Sequence, residues 1–159
     1  MSAVSAAPAI GRVVADFSLP TTGKTAFRLR HLRGSPVVLY FYPRDNTPGC
    51  TLEGQDFQRL LPAFTRAGAR VYGISRDSLA AHERFCSKFG FGFELLADED
   101  GAACRQFDVI RMKNMYGRKV LGIERSTFLV DAQGKLRREW RKVKVEGHAD
   151  EVLEALKAL

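Results

Sequence analysis

The stretch VVLYFYPRDNTPGCTLEGQDF, residues 37–57, decides the fold, because it passes from an apolar run through a polar Pro/Gly turn into a helix that opens on a cysteine. Val37 to Tyr42 is continuous, apolar and rich in β-branched and aromatic residues, the pattern of a strand buried on both faces. Pro43 ends it. Thr47 reads as an N-cap and Pro48 as the first helical residue, which sets Cys50 at about the third helical position. Backbone N–H groups left free there, with the positive end of the helix dipole, favour an anion, and thiolate rather than thiol is the nucleophile. Taken alone, a cysteine at a helix start is more often a small buried hydrophobe than a nucleophile, and Thr47 and Pro48 can be read as capping only.

Upstream, runs at residues 13–18 and 25–30 flank the turn signal PTTGK and predict an N-terminal hairpin. Downstream, the helix continues through LEGQDFQRLLPAFTRAG, with Leu52, Phe57, Leu60, Leu61 and Phe64 as an apolar stripe, a kink at Pro62 and a stop at Gly68. ARVYGIS (69–75) reads as a second strand, SLAAHERFCSKFG (78–90) as a helix capped by Asp77 or Ser78, and FELLAD (93–98) as a third strand. DEDGAACRQFDV holds a short helix, and RMKNMYGRKVLG is a Gly-interrupted hairpin or loop. RSTFLVD and KLRREWR, joined by AQG, form a hairpin, and HADEVLEALKAL a last helix. Strands alternating with helices, with two hairpins, predict an α/β fold with a mixed central sheet flanked by helices.

A chain of 159 residues, 45% hydrophobic, fits one domain, with residues 1–11 as a flexible leader rather than a signal peptide. No run approaches the roughly 20 apolar residues of a membrane span. Three cysteines without a CxxC pair point to catalytic thiols in a reducing compartment, the cytoplasm, rather than to a disulfide framework. The net charge of +7 raises the question of nucleic acid. The basic residues are spread along the chain, and their one dense run, KLRREWRKVK (135–144), alternates like a half-exposed strand, so neither nucleic acid nor membrane is an expected partner. His31, His82 and His148 are scattered, and only His82 with Cys86 has the spacing of a helical ligand pair, so no metal or bound cofactor is expected. Glu53, Asp56 and Glu83 read as solvated helix charges.

Pro43, Thr47 and Cys50 stand at the spacing of the peroxiredoxin active-site motif, which this stretch resembles. The segments YFYP, NTPGCTLEG, GIERSTFLVD with Arg125, and KVKVEGHADEVLEALK look like the bacterioferritin-comigratory, or Q-type, branch, over residues 12–158. The resemblance implies a thioredoxin-like fold and a thiol peroxidase for hydrogen peroxide and organic hydroperoxides, with Cys50 as the peroxidatic thiol. It also implies that Arg125 holds thiolate and peroxide, that the Thr47 hydroxyl bonds the reacting atoms, that Pro43 shields the pocket, and that the N–H groups of Gly49 and Cys50 complete the donors. In that branch a resolving cysteine stands five residues after the peroxidatic one or in the following helix. Gln55 fills the first place and Cys86 matches the second, although on residues alone Cys86 reads as a packed core thiol. The implied enzyme is a monomer whose Cys50–Cys86 disulfide is reduced by thioredoxin or a similar dithiol. Glu53 belongs to the TLEG match, and Cys104 reads as structural. Other readings are a thioredoxin-like disulfide reductase, which the missing CxxC disfavours, and a redox-sensing binding module. Because thiols on separate helices sit beyond the roughly 4.4–6.8 Å Cα separation of a disulfide, part of both helices is expected to unwind on oxidation.

Overall fold

A computed structural model describes residues 7–23 and 25–159. Its centre is a five-stranded sheet in the order β5-β4-β3-β8-β9, made of β3 (Val37–Phe41), β4 (Arg70–Ser75), β5 (Glu94–Ala97), β8 (Ser126–Val130) and β9 (Leu136–Trp140). β3, β4 and β5 run parallel, while β8 lies antiparallel to β3 and β9 antiparallel to β8. The sheet is mixed, as expected, and the decisive strand is its middle one. Every residue of β3 is buried because both faces are covered. Val37, Leu39 and Phe41 enter one core with Cys104, Phe107 and Phe128, and Val38, Tyr40 and Tyr42 enter the other with Phe57, Phe64 and Leu153. Strand alternation alone divides the two cores.

Helices α1 (Pro48–Arg66), α2 (Leu79–Phe89) and α4 (His148–Lys157) pack on the second core, and α3 (Ala102–Gln106) on the first. The N-terminal hairpin shrinks to β1 (Ser18–Leu19) and β2 (Phe27–Arg28), and a 3-10 turn follows at Leu29–Leu32. The Gly-interrupted segment is a separate hairpin, β6 (Ile110–Met115) and β7 (Arg118–Ile123). Tyr116 and Gly117, both at positive φ, make the two-residue turn that suits strand twist. The basic run lies on the edge strand β9, with Leu136 buried and Arg137, Arg138 and Glu139 exposed. Among the described residues no helix is long and apolar enough to cross a membrane. Residues 1–6 of the expected leader lie outside the described residues, and Gly11 already donates to Leu136 O at 2.7 Å.

α1 runs through Pro62 to Arg66 and corrects two expectations. Leu52 is 49% exposed, because the buried face is set by Cys50, Glu53, Gly54, Phe57 and Phe64, which recur at helical spacing while Leu52 points some 200° away from Cys50. Glu53, read as a solvated charge, is 1% exposed. Gly54 is needed there, since a Cβ would stand 2.5 Å from Cζ of Phe91. Ser78, rather than Asp77, caps α2 by accepting from Ala81 N at 3.1 Å, and Gly90 closes it at φ 68°.

Candidate active site

Cys50 lies in the first turn of α1, which carries no acidic side chain, and it is buried. Thr47 occupies the N-cap position, and its carbonyl accepts the first helical bond from Thr51 N at 2.9 Å. Its side chain does not cap. The hydroxyl donates to Arg44 O at 3.0 Å, a correction to the capping expectation that leaves the oxygen free to accept. Pro43 and Gly49 are half-buried on the same turn.

Arg125 stands between β7 and β8, with its carbonyl held by Val143 N at 3.0 Å. The guanidinium forks: Nη2 is 3.4 Å from Cys50 Sγ and Nη1 donates to Glu53 Oε1 at 2.6 Å. Gly49 allows this approach, since a Cβ there would sit 3.3 Å from Nη2. Burial works against the arginine's charge, but Glu53 and Cys50 outweigh it and raise its pKa. Burial pushes Glu53 up to about 7 despite the pull of Arg125, and its Oε2 has no hydrogen-bond partner. The fully buried Tyr40 hydroxyl is also without one. Its pKa is held well above the usual phenol value by burial, then by the negative charge of Glu53, Cys86, Cys50 and Asp45 around it.

The structure therefore brings Gly49, Cys50 and Arg125 together, with Pro43 and Thr47 on the turn that leads into them, buries Glu53 beside them, and adds one residue that sequence reasoning missed. The TLEG match marks Glu53 as a residue that orients the site, although its composition reads as a helix-surface charge. Lys113 lay in a segment read only as hairpin or loop. Its stem passes over Gly122, its Nζ donates to Ile123 O at 2.5 Å, and burial followed by the neighbouring Arg125 lowers its pKa against Cys50 and Glu124. Strand alternation on β6 was the signal that would have placed it.

Cys86 is on α2, half-buried and unbonded to Cys50, all three cysteines being free. Burial pushes its thiol up to about 11, against a hydrogen bond with Thr22. Cys104 is fully buried on α3, and burial raises its pKa further still, with Asp98 adding to the effect. Asp98 meanwhile accepts from Ala103 N at 3.0 Å and Cys104 N at 2.8 Å, ordering the start of that helix. Among the described residues, Asp45, Asp77 and His82 are the side chains close enough to share a cation. They are already engaged in hydrogen bonds with the surrounding fold.

Residues 10–139 match the AhpC/TSA family. A Peroxiredoxin Bcp of Xanthomonas campestris is 58% identical over 90% of this chain and 89% of its own length, and one of Bacillus subtilis is 42% identical over 93% and 94%. Among solved structures, Xanthomonas campestris Peroxiredoxin Q superposes with a TM-score of 0.85 at 58% identity, covering 89% of this chain and 90% of that one. A PrxQ mutant of Xylella fastidiosa superposes with a TM-score of 0.90 at 46% identity, covering 97% and 98%. Another Xanthomonas campestris structure, of a bacterioferritin comigratory protein, concerns that protein's alkyl peroxide reduction activity.

Proposed function

The chain belongs to the AhpC/TSA family, as a thiol peroxidase of the Bcp/PrxQ kind on a thioredoxin-like fold, and from that premise we propose that Cys50 reduces hydrogen peroxide and alkyl hydroperoxides and that Cys86 resolves it. The observation that carries the reading is the forked Arg125, which reaches Cys50 Sγ with one nitrogen and buried Glu53 with the other. A fixed, planar donor aimed at sulfur stabilises charge both on the thiolate and along the breaking O–O bond.

The Cys50 thiolate attacks one peroxide oxygen, the O–O bond breaks, and the alkoxide takes a proton to leave as alcohol, or as water from hydrogen peroxide. Sulfur has become a sulfenic acid. Thr47, its own proton spent on Arg44 O, accepts from the peroxide O–H, while Arg125 and the N–H groups of Gly49 and Cys50 hold the developing charge. Pro43 closes the pocket against water. The Cys86 sulfur then attacks the sulfenic sulfur, the S–O bond breaks, and the proton of the Cys86 thiol passes to the leaving oxygen, so that water departs and the Cys50–Cys86 disulfide forms. Two electrons and two protons from an external dithiol, thioredoxin or a protein like it, restore both thiols. A disulfide formed within one chain needs no second copy, which suits a monomer working as a single domain, and catalytic thiols suit the reducing cytoplasm.

One equivalent of hydrogen peroxide added to the reduced protein is expected to yield a Cys50–Cys86 linked peptide in a non-reducing digest. Slow or absent oxidation of Cys50 would end the peroxidase reading, and a link through Cys104 would move the resolving role.

A further inference from the structure

His82, the fourth residue of α2, has no exposed surface, and both of its ring nitrogens are engaged on elements other than its own helix. Nε2 is 2.9 Å from Leu96 O on β5, so it carries a proton, because a carbonyl can only accept. Nδ1 is 2.7 Å from Asp45 Oδ2, and Asp45 Oδ1 accepts from the Tyr42 hydroxyl at 2.6 Å. Asp45 lies in the turn that delivers Cys50, and its N–H donates to Asp77 Oδ2 at 2.9 Å, next to the start of α2. With Nε2–H committed to Leu96 O, the contact with Asp45 needs a second proton, held by Nδ1 or by the carboxylate, and that bond ties the peroxidatic turn to the helix of Cys86 away from solvent. A second tie, Lys88 Nζ to Asn46 Oδ1 at 3.2 Å, is exposed. Cys86 falls between the two along the helix.

These are the two segments that must separate and rearrange before Cys50 and Cys86 can meet. The exposed tie is weak in water; the buried one is shielded from water, and breaking it leaves buried polar groups unpaired. We infer that His82 is a positioning residue for resolution: its bond to Asp45 holds α2 against the peroxidatic turn and sets how long Cys50 stays a sulfenic acid. A longer hold leaves more time for a second peroxide to carry the sulfur to sulfinic acid. The inference rests on Cys86 being the resolving thiol.

The test uses reduced full-length protein and hydrogen peroxide, with rapid quench, alkylation and mass spectrometry separating sulfenic, disulfide and sulfinic forms. Asparagine at position 82 places an amide donor where Nδ1 stands and keeps the bond to Asp45. Glutamine reaches toward Leu96 O and loses that bond. His82→Gln is expected to form the disulfide about tenfold faster, the worth of one such bond, and to lose less Cys50 to sulfinic acid at high peroxide. His82→Asn is expected to behave like wild type, and both should form sulfenic acid at the wild-type rate. Leu156→Ala, in α4, supplies a loss of stability without touching the tie. Resolution no faster in His82→Gln than in wild type overturns the inference, and so does equal acceleration in Leu156→Ala. Failure of the underlying reading shows separately, as wild-type protein that lacks the Cys50–Cys86 peptide before any variant is compared.

Discussion

Arg125 bridges two buried side chains, Glu53 and Cys50, and this geometry explains why its shape matters more than its charge. Lysine offers one ammonium point and cannot span Glu53 and Cys50 together. Arg125→Lys is expected to lower the second-order rate with hydrogen peroxide by about 100-fold, the scale of a lost transition-state donor, with an unchanged circular-dichroism spectrum; near-wild-type turnover would remove Arg125 from the mechanism. Glu53 carries the complementary cost. Its pKa rises on folding from 4.5 to about 7, so the unfolded chain gives up this proton first as pH rises. The contribution to stability is complete below pH 4.5 and is lost as pH climbs through 7. Glu53→Gln keeps an acceptor for Arg125 and gives the empty Oε2 position a donor. Denaturant titrations at pH 8 should find the variant more stable than wild type by about 3 kcal/mol, with the advantage gone at pH 4.5.

At the scale of elements, the site is a junction of three. The strand-turn-helix unit of β3 and α1 presents Cys50, the β7–β8 junction presents Arg125, and α2 carries Cys86, the proposed resolving thiol. With its thiol held up to about 11 by burial, Cys86 is a poor nucleophile while α2 is folded, and it becomes a competent one only where water reaches it. In the proposed mechanism, folding of α2 separates the two chemical steps in time. Hydrogen exchange should find the amides of α2 and of the first turn of α1 protected in the reduced protein and exposed in the disulfide form, while β3 and β8 keep their protection in both. Equal protection of α2 in the two redox states would mean that the disulfide forms without unwinding.

For the whole molecule, Glu53 and His148 set opposing slopes of stability against pH. His148 is buried, 2.7 Å from Thr127 Oγ1 and edge-on to Trp140, and burial lowers its pKa from 6.5 to about 4. The folded protein resists protonating it, so its contribution is intact above pH 6.5 and is lost as pH falls toward 4. Glu53 acts in the other direction across the overlap. Wild-type stability is expected to be nearly level between pH 4.5 and 6.5. His148→Gln, followed by thermal melts across that range, should uncover a stability that falls as pH rises, and a level profile in the variant would show that the two groups do not oppose each other.

The sequence by itself determined the order of elements, the buried central strand, the helix that begins at Pro48 and the place of Cys50 in its first turn. Each depends on short-range rules: strand and helix periodicity, proline geometry, glycine at positive φ. The resemblance in GIERSTFLVD marked Arg125, although it sits 75 residues from the thiol it touches. What only the tertiary structure decided is which of the many charged side chains are buried and whom they meet. Glu53 looks like any helix-surface acid until β8 brings Arg125 over it, and Lys113 looks like a loop cation until its hairpin folds toward the site. His82 looks like a core residue until Asp45 arrives from 37 positions away. Desolvation has no signature in local sequence, because it depends on which elements close over a residue, and that closure gives Glu53 its pKa, Cys86 its inertness and α2 its hold on the peroxidatic turn.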